Sequence, residues 1–164
     1  MQDRQYTYPL SDDTWSREEI EAVLEVLVSK EFTMGQKTLD FEAKFAKWCG
    51  SKHAIMVNSG SSANLLLFAA LVYSGRLQPG DEVIVPAVSW STTYFPIFQH
   101  GLTLRFVDID RSTLNLDPTL VEAAITERTK AIFAVNLLGN PCDFDRLREI
   151  CDKNDLILLE DNCE

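Results

Sequence analysis

Ile20, Val23, Leu24, Leu27 and Val28 recur at i, i+3, i+4, i+7 and i+8, the single apolar stripe of an amphipathic helix. Ser16 stands just before that stripe with Glu19 three residues on, the capping-box pattern that satisfies orphan amides at a helix start. The stretch KEFTMG then predicts a linker that bends at Gly35. Phe41, Phe45 and Trp48 repeat at helical spacing in a second helix that ends near Gly50. From His53 the rhythm changes. Runs that are apolar almost throughout, HAIMV (53–57), EVIVP (82–86), LRFVD (104–108), AIFAV (131–135) and LILLE (156–160), predict strands. Helices are predicted between them: one after Gly60, a short one near Tyr94–His100, one over Pro118–Ile125 and one over Phe144–Cys151. Asp117 before Pro118 is a good N-cap with proline at the first helical position.

Strands that do not alternate apolar with polar residues belong to a parallel sheet covered on both faces. Their regular alternation with helices predicts an α/β fold with a doubly wound, mostly parallel sheet. Residues 1–50 read as a helical segment and 51–164 as the sheet-bearing domain; no repeat or low-complexity tract interrupts them. With 164 residues, 46% of them hydrophobic and 24% charged, the chain is large enough for a real core and is not disordered. The net charge of −10 argues against a nucleic-acid surface, which needs a basic face. No apolar run is long enough to span a bilayer, and the polar start MQDRQYTYPLSDD has no signal core, so a cytoplasmic location is expected. Cys49, Cys142, Cys151 and Cys163 are far apart, with no CxxC pair and no histidine at zinc spacing, so they read as reduced thiols and no metal site is expected.

In doubly wound sheets, ligands bind outside the carboxyl ends of the strands. Three strand ends carry candidate chemistry. After HAIMV comes Asn58-Ser59-Gly60-Ser61-Ser62-Ala63-Asn64, small residues opening a helix, where backbone amides can hold an anion. The loop is neither a GxxxxGK[ST] nor a GxGxxG motif, and by itself a plain Ser-capped helix after a tight turn is the better explanation. After EVIVP stands Trp90, either a flat wall for a planar ligand or a lid on the core. After LILLE stands Asp161, which needs a cation or hydrogen-bond donors if it is buried. His53 and His100 fit structural roles at element ends. Together, an anion loop, an aromatic wall and a strand-end aspartate suit a phosphorylated, nitrogen-containing ring whose protonated nitrogen pairs with Asp161. Pyridoxal or pyridoxamine phosphate has that chemistry.

The strings NSGSSANLLLFAAL, GDEVIVPAVSWSTTYFP, FVDIDRSTLNLD, ITERTKAIFAVNLLGNP and LLEDNCE resemble the DegT/StrS family of pyridoxal-phosphate sugar enzymes, in register from about Trp15 to the last residue. The resemblance implies the large domain of the aspartate-aminotransferase fold (PLP fold type I), a homodimer, and nucleotide-linked 4-ketosugars as substrates. It places Gly60, Ser61 and Ser62 in the phosphate loop, Trp90 on the cofactor ring and Asp161 at the pyridine nitrogen. Glu164 stands at a cofactor-binding position that the sugar aminotransferases usually fill with Gln.

That departure, with SWSTTYFP and VNLLGNP, is more similar to the branch of 4-keto-6-deoxy-sugar 3-dehydratases, where a histidine replaces the cofactor-holding lysine and glutamate is the amino donor. A sugar aminotransferase is the alternative, and a non-catalytic cofactor-binding or structural remnant is a third. The resemblance also implies that the Lys or His element and a carboxyl-terminal domain lie beyond Glu164. No catalytic residue is therefore expected within these residues, and the 164-residue chain alone is expected to be inactive. Lys130 and Lys153 read as exposed loop or helix-end residues. Thr33-Met34-Gly35 resembles a segment near the substrate, though a plain helix linker accounts for it too. The pathway context implied is that of deoxysugars for surface polysaccharides such as O-antigen.

Overall fold

Residues 13–164 are described by a computed structural model, and they fall into two units, one ending at Met56 and one spanning Val57–Glu164. The reading of the amino terminus as signal-free concerns residues 1–12 almost entirely, which lie outside the described residues.

In the first unit, α1 (Arg17–Ser29) begins at the anticipated capping box. Ser16 Oγ accepts from the Glu18 amide at 3.1 Å, and Glu19 Oε2 accepts from the Ser16 amide at 2.6 Å. The second helix, α2 (Gln36–Cys49), stops at Gly50, whose φ of 69° is the left-handed conformation a helix end uses. The linker differs from expectation in its detail. The left-handed residues are Lys30 (φ 61°) and Met34 (φ 39°), whereas Gly35 is the N-cap of α2, with φ −80° and ψ −171°. Glycine serves there because a β-carbon would sit 3.0 Å from Glu31 Oε2. That carboxylate reaches the Gln36 amide at 3.4 Å and supplies the cap that glycine cannot. The helical periodicities hold, yet α1 buries none of its residues and α2 buries only Ala46.

The second unit runs α3 (Gly60–Tyr73), β1 (Glu82–Pro86), α4 (Ser91–Gln99), β2 (Thr103–Val107), α5 (Pro118–Ala124), β3 (Thr129–Val135), a 3-10 turn (Leu137–Gly139), α6 (Phe144–Asn154) and β4 (Ile157–Asp161). Asp117 caps α5 through the Thr119 amide at 2.8 Å, as its sequence predicts. The strands form one four-stranded sheet, ordered β2-β1-β3-β4, with every pair parallel.

Apolar runs without alternation become two cores. Val83, Val85, Ala131, Phe133 and Leu159 pack on one face with Phe68 of α3 and Ile97 of α4. Ile84, Ile132 and Ala134 pack on the other with Val121 of α5 and Leu147 and Ile150 of α6. Phe68 meets Phe133 edge to face, with ring centroids 5.2 Å apart. Edge strand β2 is less covered, and Phe106 remains 53% exposed.

Two expectations are corrected. HAIMV is not a strand: residues 53–57 are coil, and the four described strands pair only among themselves. An apolar run becomes a strand only where a partner completes its ladder, and without one Ile55 is left 78% exposed. Lys130 lies inside β3, not in a loop or at a helix end. The register steps from Glu82↔Thr129 to Val83↔Ala131, so Lys130 is the extra, bulged residue, and its ammonium donates to the Glu127 carbonyl at 3.0 Å. Lys153 does lie in the last turn of α6, paired with Glu122 at 2.8 Å.

Candidate functional site

Strand order reverses at β1: the chain leaves it for β2 on one side and returns to β3 on the other. At such a switch point the connections diverge and open a crevice at the carboxyl ends of the strands. A cleft of about 250 Å³ lies there, bordered by Gly60, Ser61 and Asn64 of α3, by Ser89, Trp90, Thr92 and Thr93 around the start of α4, by Val135 at the end of β3, and by Asp161, Cys163 and Glu164 at and after the end of β4.

Each wall follows from local chemistry. Ser59 caps α3 by accepting the Ser62 amide at 3.1 Å, and its hydroxyl also meets Ser62 Oγ at 3.2 Å. Ser62 is thereby committed to the cap, and it borders a neighbouring hollow with Leu65 and Phe95. The amides of Gly60 and Ser61 find no acceptor among the described residues, and they belong to the helix end where partial positive charge concentrates. The helix cap and the two unpartnered amides thus fall on different residues of the serine-rich loop. Trp90 is the N-cap of α4 and makes no side-chain cap, and at 74% exposure it is no lid on the core.

Asp161 ends β4. Its Oδ2 accepts from Asn64 Nδ2 and from Thr93 Oγ1, each at 2.9 Å, and its Oδ1 accepts from the Cys163 amide at 3.3 Å. Its partners among the described residues are neutral donors, and none is a cation. Glu164 takes the Leu138 amide on Oε2, an approach made possible by the left-handed pair Leu138 (φ 56°) and Gly139 (φ 76°). The arrangement can hold an anion at the α3 amides, a flat body against Trp90, and a cationic N–H at Asp161.

Asn64, Thr93, Ser89 and Cys163 are the site residues that sequence reasoning passed over. Asn64 left a usable signal: it is a polar residue opening the apolar run LLLFAAL, four positions after Gly60 and so on the same helix face. Thr93 left none, since nothing local distinguishes it from Thr92. His100 is structural, its Nδ1 2.7 Å from the Pro96 carbonyl at the end of α4. The segment 33–35 borders a separate hollow of the first unit, together with Glu25, Glu31 and Lys37. The four thiols are unpaired with one another, Cys142 and Cys151 being buried. Burial and the nearby Asp152 carboxylate push the Cys151 thiol up to about 11, which makes it inert. No group of three or more potential ligands is placed to hold a metal among the described residues, and none of their helices is long and apolar enough to cross a membrane.

A family model, the DegT/DnrJ/EryC1/StrS aminotransferase family, matches residues 13–164. The chain belongs to this family. Among its DegT/DnrJ/EryC1/StrS relatives, a GDP-4-keto-6-deoxy-D-mannose 3-dehydratase of Yersinia pseudotuberculosis is 54% identical over 159 residues, covering 96% of this chain and 40% of the relative. The solved E. coli GDP-4-keto-6-deoxy-D-mannose 3-dehydratase with bound hydrated PLP superposes with a TM-score of 0.92 at 56% identity, over 96% of this chain and 41% of that one. A putative sugar aminotransferase of Streptococcus pneumoniae in its PMP form has a TM-score of 0.82 at 36% identity, over 90% of this chain and 36% of that one. The α/β layer is therefore that of PLP fold-type I enzymes. The chain spans about 40% of the length of the curated dehydratases it matches.

Proposed function

We propose that this chain carries the cofactor-binding part of a pyridoxamine-phosphate-dependent nucleotide-sugar 3-dehydratase acting on a GDP-linked 4-keto-6-deoxy sugar. The observation that carries the reading is Asp161, a carboxylate held by three neutral donors, in one cleft with an exposed tryptophan and a helix start with amides to spare. That donor and acceptor set fits a phosphorylated pyridine ring. The amides of Gly60 and Ser61 would bind the phosphate, with Ser62 bracing that turn through Ser59. Trp90 would lie against the ring, Asp161 would accept the N–H of its nitrogen, and Glu164 would border it. When bound, the cofactor supplies an amine able to engage a sugar ketone and a ring that withdraws electrons. By holding a proton on the ring nitrogen, Asp161 keeps that withdrawal strong.

The acid–base group for loss of the C3 hydroxyl is expected to be a histidine from outside these residues. His100 is tied to the Pro96 carbonyl and neither it nor His53 borders the cleft. Glutamate as amino donor, a homodimer that completes the site, work in the cytoplasm and a place in surface-polysaccharide sugar synthesis belong to the same reading, and the 54–56% identity to GDP-sugar 3-dehydratases supports it over the aminotransferase.

The test is the product. The complete protein, given glutamate, pyridoxal phosphate and GDP-4-keto-6-deoxymannose, is expected to yield a 3-deoxy sugar with release of ammonia, seen by mass spectrometry. A 4-amino sugar would move the assignment to the aminotransferase, and no cofactor absorbance band at all would leave only a structural relic. A smaller effect is expected at the ring wall. Trp90→Leu removes aromatic stacking of about 1 kcal/mol, or about fivefold in cofactor affinity, read by titrating the apoprotein. Unchanged affinity would return Trp90 to a purely structural role.

A further inference from the structure

Asp161 is held from the interior through a single oxygen. Asn64 and Thr93 both donate to Oδ2, and both are buried, at 7% and 1% exposure. A further hydroxyl, that of the half-buried Ser89, lies 3.1 Å from Thr93 Oγ1. A hydroxyl has one proton to give. Thr93 gives its proton to the carboxylate, so Ser89, which also meets the Tyr94 hydroxyl, can bond Thr93 only as the donor. The row Ser89, Thr93, Asp161 therefore points every proton toward the negative charge. In a low-dielectric interior such a row polarises itself, each donor strengthening the next. Among the described residues Oδ1 meets only the Cys163 amide, at 3.3 Å, which leaves that oxygen with acceptor capacity to spare.

We propose that Thr93, with Ser89 behind it, is a positioning residue that orients the Asp161 carboxylate and keeps a shared proton on the nitrogen of a bound ring. This rests on the reading that the cleft takes a pyridoxal-type ring. A donor on Oδ2 stabilises the charged form of a carboxylate, so a proton lying between it and a ring nitrogen stays on the nitrogen. Without that donor the carboxylate pulls harder, and the ring loses the positive charge that makes it an electron sink. Val in place of Thr93 keeps the β-branched shape and lacks only the hydroxyl, while Ser restores the hydroxyl and lacks only the methyl.

The experiment uses the complete protein as wild type, Thr93→Val and Thr93→Ser, each stripped of cofactor and titrated with pyridoxal 5′-phosphate labelled with ¹⁵N in the ring. Thr93→Val is expected to bind about tenfold more weakly, the size of a lost hydrogen bond to a charged group. Its ring ¹⁵N resonance is expected to move toward the unprotonated pyridine position, and Thr93→Ser to restore both readouts. A Thr93→Val protein with wild-type affinity and wild-type ¹⁵N position overturns the proposal while leaving the cofactor assignment standing. A wild type that takes up no pyridoxal phosphate overturns both together. Should Thr93→Val lose its circular-dichroism signal, Ser89→Ala, which leaves Thr93 in place, takes over. A smaller ¹⁵N displacement in the same direction is expected from it, and no displacement overturns the proposal.

Discussion

Replacing Asp161 with Ala in the complete protein is expected to weaken cofactor binding about 10–100-fold and also to destabilise the fold, because two losses coincide. The anion that pairs with the ring nitrogen disappears, a charge-assisted bond worth about 1.5–3 kcal/mol. In addition, Asn64 Nδ2 and the Thr93 hydroxyl, both buried, lose their shared acceptor; the Thr92 carbonyl at 3.4 Å and Ser89 Oγ at 3.1 Å remain to them, so this second loss is about 1–3 kcal/mol of stability in all, with or without cofactor. Asp161→Asn separates the two effects. Its carbonyl oxygen can still accept from Asn64 and Thr93, so the fold and much of the cofactor affinity are retained. Its amide, however, donates toward the ring nitrogen, which must then be unprotonated, and turnover is expected to fall by about 10²–10³. Absorbance of retained cofactor and steady-state turnover read the two variants. Normal occupancy and activity in Asp161→Ala would remove the role assigned here.

At the opposite end of the sheet, Arg128→Ala is expected to cost about 1–3 kcal/mol of stability, less than breaking a fully buried pair because water screens the exposed guanidinium, through a group unrelated to the cleft. Glu82 opens β1 at only 2% exposure, and its carboxylate accepts Arg128 at 2.6 and 3.1 Å and the Thr126 hydroxyl at 2.6 Å. Arg128 itself is 72% exposed, so the bond crosses the boundary between core and water. Without the guanidinium, a buried carboxylate remains with hydroxyl partners alone. Glu82→Gln is expected to cost less, about 0.5–1.5 kcal/mol, since its amide oxygen can still accept and no buried charge is left behind.

The same bonds set a pH dependence. The Thr126 hydroxyl first, and then Arg128, hold the Glu82 carboxyl below the usual glutamate value of 4.5. A carboxyl depressed in the folded state binds its proton more readily when unfolded. Its contribution is therefore present in full above that usual value and is lost as pH falls through the folded one. Urea midpoints measured at neutral pH and down to about pH 3 are expected to fall more steeply for wild type than for Glu82→Gln. Parallel curves would show that Glu82 is no part of the acid response.

Local pattern determined most of the fold. The capping box at Ser16, the Asp117–Pro118 start of α5 and the apolar runs of β1 to β4 each depend on residues a few positions apart, so they are legible in the chain as written. The strand ends singled out Gly60, Trp90 and Asp161, to which the family resemblance attached roles, and the three do border one cleft. Pairing across distance was not legible. HAIMV reads as a strand because apolar runs do, yet a ladder needs a partner that no local rule supplies. The bulge that turns Lys130 out of β3 exists only relative to β1.

Most of all, Asp161 lies 97 residues from Asn64 and 68 from Thr93 in sequence, and only the order β2-β1-β3-β4 brings β4 to the helices flanking β1. Which serine of the loop serves the helix cap and which faces the cleft was likewise decided in three dimensions, since every serine side chain has the same chemistry until its neighbours are in place. The sequence by itself thus determined the elements and the kinds of group at their ends. The tertiary structure decided which of those groups meet, because hydrogen bonds and burial depend on separation in space, and local periodicity contains no information about that separation.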